Sequence, residues 1–125
     1  MIRFECDYAE GAHPKVLEAL VKTNFEQTPG YGVDGHCAHA QELIREACED
    51  PLANVYFVTG GTPANVTVIA SLLRPYQGCV CCKSGHINVH EAGAVEATGH
   101  KVIGLDGKDG KLSAETLRNY LESYW

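Results

Sequence analysis

Two short stretches hold residue types and spacings that could do chemistry. The first is Gly60-Gly61-Thr62-Pro63-Ala64-Asn65, which follows the β-branched and aromatic run Val55-Tyr56-Phe57-Val58. A strand that breaks at two glycines and runs straight into a helix start presents unpaired backbone N–H groups and a positive dipole end to an anion. Glycine lets the backbone approach that anion closely, and the Thr62 hydroxyl can add a further donor. The pattern predicts a phosphate cradle. It is neither a Walker loop nor a dinucleotide fingerprint, since the glycine and lysine spacings of both are missing. An ordinary βα turn, which glycine also favours, is the competing reading, and these residues by themselves do not separate the two.

The second stretch is His86-Ile87-Asn88-Val89-His90-Glu91, which follows the cysteine-rich run Cys79-Val80-Cys81-Cys82. His86 falls at the carboxyl end of a predicted strand, the edge at which parallel sheets bind ligands. A histidine there could move a proton or lay its ring on a flat aromatic cofactor; a surface or helix-capping histidine is the plainer alternative. His86, His90 and Glu91 beside three cysteines also invite a zinc reading. Neither a second Cys-x-x-Cys unit nor a His-Glu-x-x-His motif is present. Alternation along a strand puts Cys79 and Cys81 on one face and Cys82 on the other, so the cysteines read as core packing and no metal site is expected. His36 and His39, flanking Cys37, read as a polar helix edge. No cysteine sits in a nucleophile's setting, and none of the six lysines has apolar, glycine-flanked surroundings that would depress its pKa.

The elements that must position these residues follow from periodicity. Pro14 opens a helix of about twelve residues with Val16, Leu17, Leu20 and Val21 on one face. A glycine-rich loop, 27–35, leads to a second helix over 35–49, closed by Asp50-Pro51. Val55–Val58 is predicted as a buried strand, Thr62 as the N-cap and Pro63 as the first residue of a buried helix to Leu73. Strands over Cys79–Cys82 and Lys101–Leu105 flank a helix from about Asn88 to Ala97, ended by Gly99. Ser113 caps a last amphipathic helix with Leu117, Tyr120 and Leu121. Strands alternating with helices predict an α/β fold with a mainly parallel sheet, divided into an N-terminal arm and loop (1–52) and the start of an α/β domain (53–125). Three strands are few for a sheet covered on both faces, so the chain reads as the N-terminal part of something larger.

Composition sets the outer limits. A chain of 125 residues, 45% hydrophobic, can build one small core. A net charge of −6 without a basic cluster argues against nucleic acid as a partner. The apolar run from Val66 to Leu73 is too short for a bilayer, and Met1-Ile2-Arg3-Phe4-Glu5 lacks the long apolar core of a signal peptide. The six cysteines then read as reduced thiols in a cytoplasmic protein.

Taken in order, four stretches resemble the low-specificity threonine aldolases and related β-eliminating lyases. Phe4-Glu5-Cys6-Asp7 sits where that family has a Ser-Asp-Thr segment, and Tyr31-Gly32-Val33-Asp34 resembles its Tyr-Gly-Asp/Glu loop. Gly60-Gly61-Thr62-Pro63-Ala64-Asn65 is similar to its Ser/Thr-Gly-Thr-x-Ala-Asn loop, and His86 to Gly93 to its His-x4-Glu-Ala-Gly segment. The resemblance implies a pyridoxal 5'-phosphate-dependent enzyme of the aspartate-aminotransferase fold, fold type I. It cleaves a small amino-acid substrate, a β-hydroxy amino acid, to glycine and an aldehyde. Gly60, Gly61, Thr62 and Asn65 would lie at the cofactor phosphate. His86 would stack on the pyridine ring and serve as the catalytic histidine, with Glu91 behind it. Cys6, Asp7 and Tyr31 would lie near the substrate, Tyr31 across the interface of a homo-oligomer. Cys6 replaces a serine and Gly60 a hydroxyl residue, two departures from the family pattern. The lysine that bonds to the cofactor, the aspartate at its ring nitrogen and the phosphate-binding arginines are expected beyond Trp125, leaving this chain alone inactive. An aminotransferase or desulfurase on the same fold, and a non-catalytic α/β module with a Cys/His metal site, are the alternatives.

Overall fold

The computed structural model describes residues 4–6 and 8–123. The chain forms two compact units, Met1–Tyr56 and Phe57–Trp125.

In the first unit, α1 (Pro14–Thr23) starts where proline costs nothing, since a first-turn N–H has no intrahelical acceptor. The His13 side chain accepts from the Lys15 N–H at 3.2 Å. After the loop, where Tyr31 and Gly32 take left-handed backbone angles (φ 64° and 74°), Asp34 caps α2 (Gly35–Ala47). Its Oδ1 accepts from the Cys37 N–H at 2.9 Å. The helix ends two residues before the predicted 49, because Glu49 turns left-handed at φ 54°. Gln41 and Arg45 on α2 then donate to the carbonyls of Val55 (3.1 Å) and Ala53 (2.9 Å).

This arrangement corrects the strand predicted at Val55–Val58. Residues 53–58 carry no sheet pairing, the Val55 carbonyl is taken by a side chain, and Tyr56, Phe57 and Val58 are exposed. Strand propensity describes a side chain suited to a pleated surface; the ladder itself needs a neighbour.

The second unit holds a two-stranded parallel sheet, β1 (Cys79–Cys82) against β2 (Val102–Leu105), in the register Cys79 to Val102 through Cys82 to Leu105. Bonds from Cys79 N–H to Lys101 O (3.0 Å) and Lys83 N–H to Leu105 O (2.8 Å) extend the ladder at both ends. Before the sheet comes α3 (Gly61–Leu72); between its strands lie the single turn α4 (His86–Val89) and a 3-10 turn, Glu96–Thr98. After it, α5 (Ala114–Glu122) is capped by Ser113, whose Oγ accepts from the Thr116 N–H at 3.0 Å. Among the described residues Val95, Val102 and Leu105 are the buried apolar ones, each contributing about 1.5–3 kcal/mol.

Three further expectations change here. Helix α3 begins at Gly61 with Gly60 as its N-cap, so Thr62 lies inside the first turn and caps nothing. It is also not buried: Val68 and Leu72 are exposed, because two strands are too narrow to cover a helix that is apolar on most sides. The helix predicted over 88–97 stops at Val89 with His90 as its C-cap, and the left-handed Ala92 (φ 51°) and Gly93 (φ 73°) keep it from resuming. Two successive left-handed residues end any right-handed helix, and a non-glycine there costs about 1–2 kcal/mol. No described helix is long and apolar enough to cross a membrane.

Candidate functional site

The first helical hydrogen bond of α3 runs from Ala64 N–H to Gly60 O, 3.2 Å. Ahead of it the amides of Gly60, Gly61 and Thr62 have no helical acceptor, Pro63 has no N–H, and no side chain caps the end. A Cβ built on Gly61 would meet nothing within 4 Å. Free amides at the positive end of a twelve-residue helix, beside open space, suit an anion.

One turn further along α3, the Asn65 Nδ2 donates to Glu91 Oε1 at 2.6 Å. The same oxygen takes His86 Nδ1 at 2.7 Å. The broken helix makes this contact possible: the turn at Ala92-Gly93 holds Glu91 in a loop five residues after His86. Gly85, the N-cap of α4, sets where His86 starts. A Cβ there would stand 2.9 Å from the Cys82 carbonyl and 3.2 Å from Cys81 Cβ, so only glycine brings the chain this close to the end of β1.

The Glu91 side chain is fully shielded, whereas that of His86 is 64% exposed. The His86 hydrogen bond and, behind it, the Asn65 bond hold the Glu91 carboxyl below its ordinary value, against an opposing push from burial. A carboxylate accepts, so Nδ1 of His86 carries the proton that faces it. Glu91 Oε2 is buried without a donor among the described residues. The ring of His90 lies tilted against that of His86, centroids 5.3 Å apart at 49°. Together these groups form an open imidazole face with one nitrogen anchored and Nε2 left to act.

The structure therefore brings together Asn65, His86 and Glu91, on the unit that also carries Gly60, Gly61 and Thr62. Cys6, half-buried, and Tyr31, fully exposed, belong to the first unit; Asp7 lies outside the described residues. The Asp34 cap and the link through Asn65 escaped sequence reasoning. An Asp before a glycine-led helix is a signal that could have shown the first; nothing in the sequence pairs Asn65 with a residue 26 positions away. His36 Nε2 meets Glu26 at 2.7 Å and His39 lies 3.8 Å from Glu42, both on the surface. Burial raises the Cys79 and Cys81 thiols above their ordinary value, and a hydrogen bond to Asp34 raises Cys37. Among the described residues no three His, Cys, Asp or Glu side chains are placed to hold a metal ion.

The second unit is thus a parallel α/β unit with a bare helix N-terminus and a carboxylate-anchored histidine after its first strand. The sequence profile of the beta-eliminating lyases matches residues 5–124, and the chain belongs to that family. It is 30% identical over 118 residues to the low specificity L-threonine aldolase of a Pseudomonas species, covering 93% of this chain and 34% of that protein. The Pseudomonas aeruginosa enzyme of the same name is 29% identical over 119 residues, covering 94% of this chain and again 34% of the relative. A solved threonine aldolase from Leishmania major superposes with a TM-score of 0.89 at 44% identity, covering 94% of this chain and 34% of that one. The chain thus spans about a third of the length of these relatives and matches the N-terminal part of a fold type I structure.

Proposed function

We propose that the chain contributes the phosphate-holding and ring-covering part of the site of a pyridoxal 5'-phosphate-dependent lyase. The reaction is cleavage of a β-hydroxy amino acid to glycine and an aldehyde. The single observation that carries this reading is the convergence, on one unit, of the bare α3 N-terminus with an imidazole whose ring is open and whose Nδ1 is anchored. The residues present fit the cofactor: Gly60, Gly61 and Thr62 offer amides and a hydroxyl to its phosphate, and the exposed His86 ring offers a flat face to its pyridine. Asn65 and Glu91 complete the cofactor side. When bound, pyridoxal phosphate supplies an electron sink for the bond being broken at the amino acid's α-carbon.

The protein residues do the positioning. The α3 amides would hold the phosphate. His86 would cover the ring, exclude water from that side and present Nε2 to a proton on the substrate. Tyr31, fully exposed on a left-handed backbone, is free to enter a neighbouring subunit's site in a homo-oligomer. Cys6 and Asp7 belong to the substrate side. The cysteines, all free thiols, suit a reducing, cytoplasmic setting. The covalent anchor is not assigned to any of the six lysines; Lys83, nearest in sequence to His86, is paired with Asp106 at 2.9 Å.

Reconstitution tests this. The protein as produced by its own gene binds pyridoxal phosphate and forms glycine from L-threonine. Thr62→Val weakens cofactor binding about tenfold. His86→Phe keeps a flat ring and lowers kcat about a hundredfold. Absence of cofactor binding, or full activity in His86→Phe, refutes the assignment. For the 125 residues alone, cofactor fixed by borohydride on one of the six lysines refutes the absence of an anchor.

A further inference from the structure

We propose that Asn65 and Glu91 are a positioning pair that sets the tautomer of His86, with Asn65 acting through Glu91. The proposal rests on the cofactor reading above and assigns Asn65 a different part within it.

Both bonds end on one atom. Asn65 Nδ2 and His86 Nδ1 lie 2.6 and 2.7 Å from Glu91 Oε1. The amide must present nitrogen there, since its oxygen would face a carboxylate oxygen, acceptor against acceptor. Two donors on Oε1, His86 first and then Asn65, favour the ionised carboxylate against burial. An ionised Oε1 admits only the Nδ1–H form of the imidazole, so the one ring nitrogen open to a substrate is Nε2.

Asn65 has a distinct task in this arrangement. Glu91 sits in a loop whose next two residues are left-handed, and a loop carboxylate with one partner can swing. The bond to α3, across 26 residues of chain, ties that carboxylate to a helix. It uses one of the two Nδ2 hydrogens of Asn65 on the carboxylate. Removing Asn65 leaves the phosphate amides in place and loosens the histidine. This is an orienting role of the kind that supporting hydrogen bonds play behind other functional imidazoles.

The test uses the protein as produced by its own gene, labelled with 15N-histidine, cofactor-free and then with pyridoxal phosphate added. At mildly alkaline pH, His86 in the unmodified protein shows a protonated Nδ1 and a bare Nε2. In Asn65→Ala the signals move toward a mixture of tautomers. The cofactor Kd stays within about threefold, and kcat with L-threonine falls about ten- to a hundredfold at little-changed KM, the loss of one orienting hydrogen bond to a charged group. Glu91→Gln, whose amide oxygen can still accept, keeps the tautomer; Glu91→Leu loses it. An unchanged tautomer in both Asn65→Ala and Glu91→Leu overturns the proposal. A tenfold weaker cofactor Kd in Asn65→Ala with the tautomer intact also overturns it, and returns Asn65 to the phosphate. If Asn65→Ala does not fold, Asn65→Ser takes its place, and an unchanged tautomer in both Asn65→Ser and Glu91→Leu overturns the proposal. Failure of the unmodified protein to bind pyridoxal phosphate would sink the lyase reading, while the tautomer result would still decide the pair.

Discussion

Gly85→Ala should damage the site through the backbone, with Gly61→Ala as its opposite. A Cβ at Gly85 would lie 2.9 Å from the Cys82 carbonyl oxygen, 3.2 Å from Cys81 Cβ and 3.3 Å from Cys81 Sγ. The first of these belongs to the backbone, at the end of β1, and cannot rotate away. Either the strand end or the start of α4 must shift by several tenths of an ångström, a forced overpacking that costs about 1–3 kcal/mol. With a urea slope of about 1–1.5 kcal/mol/M for a small unit, a cost near 2 kcal/mol lowers the unfolding midpoint by more than about 1 M. The same shift moves His86, the next residue, away from the Glu91 oxygen now at 2.7 Å. Gly61 has nothing within 4 Å of its Cβ direction, so alanine there is neutral or stabilising by about 0.4–1 kcal/mol. It nevertheless places a methyl in the space proposed for phosphate, and weakens pyridoxal phosphate binding. Urea unfolding of the cofactor-free protein, followed by circular dichroism, reads the first effect, and fluorescence titration with the cofactor reads the second. A midpoint for Gly85→Ala unchanged within about 0.2 M would show that the end of β1 yields freely, and the account of how His86 is placed would fail.

Glu91 stabilises the fold in its ionised form. Its pKa is depressed below the ordinary 4.5, so this contribution is complete above about 4.5 and is lost as pH falls through the lowered value. The stability difference between the unmodified protein and Glu91→Gln should therefore shrink on acidification below 4.5, and a constant difference would contradict the geometry. Gly93→Ala forces a side chain to φ 73° and should cost about 1–2 kcal/mol, measured by urea unfolding. Ser113→Ala removes the α5 cap and should cost about 1 kcal/mol, with Ser113→Asp retaining most of it. Alkylation at neutral pH should reach exposed Cys48 well before Cys79 and Cys81, whose thiols burial keeps protonated; mass mapping after brief iodoacetamide treatment checks the order.

What the sequence determined by itself is local. Proline at the head of α1, serine before α5 and the run of small apolar residues in β1 each act within a few residues of their own position. Their elements form where the pattern puts them. The glycine pair at the head of α3 and the histidine after β1 were legible for the same reason, since a helix start and a strand end are local facts. The ordered resemblance of four segments to one family was legible too, and the family match bears it out.

The tertiary structure decided what depends on distant partners. Val55–Val58 has every property of a strand and still is not one, because a ladder needs a neighbour and its first carbonyl is occupied by Gln41. Thr62 moved from cap to first turn because α3 begins at Gly61 with Gly60 as its N-cap. The predicted helix over 88–97 stopped at Val89, and the left-handed Ala92-Gly93 that follow prevent its return. Sequence spacing showed His86 near Glu91, but only the fold brings Asn65 to the same oxygen and leaves Nε2 as the ring nitrogen without that anchor.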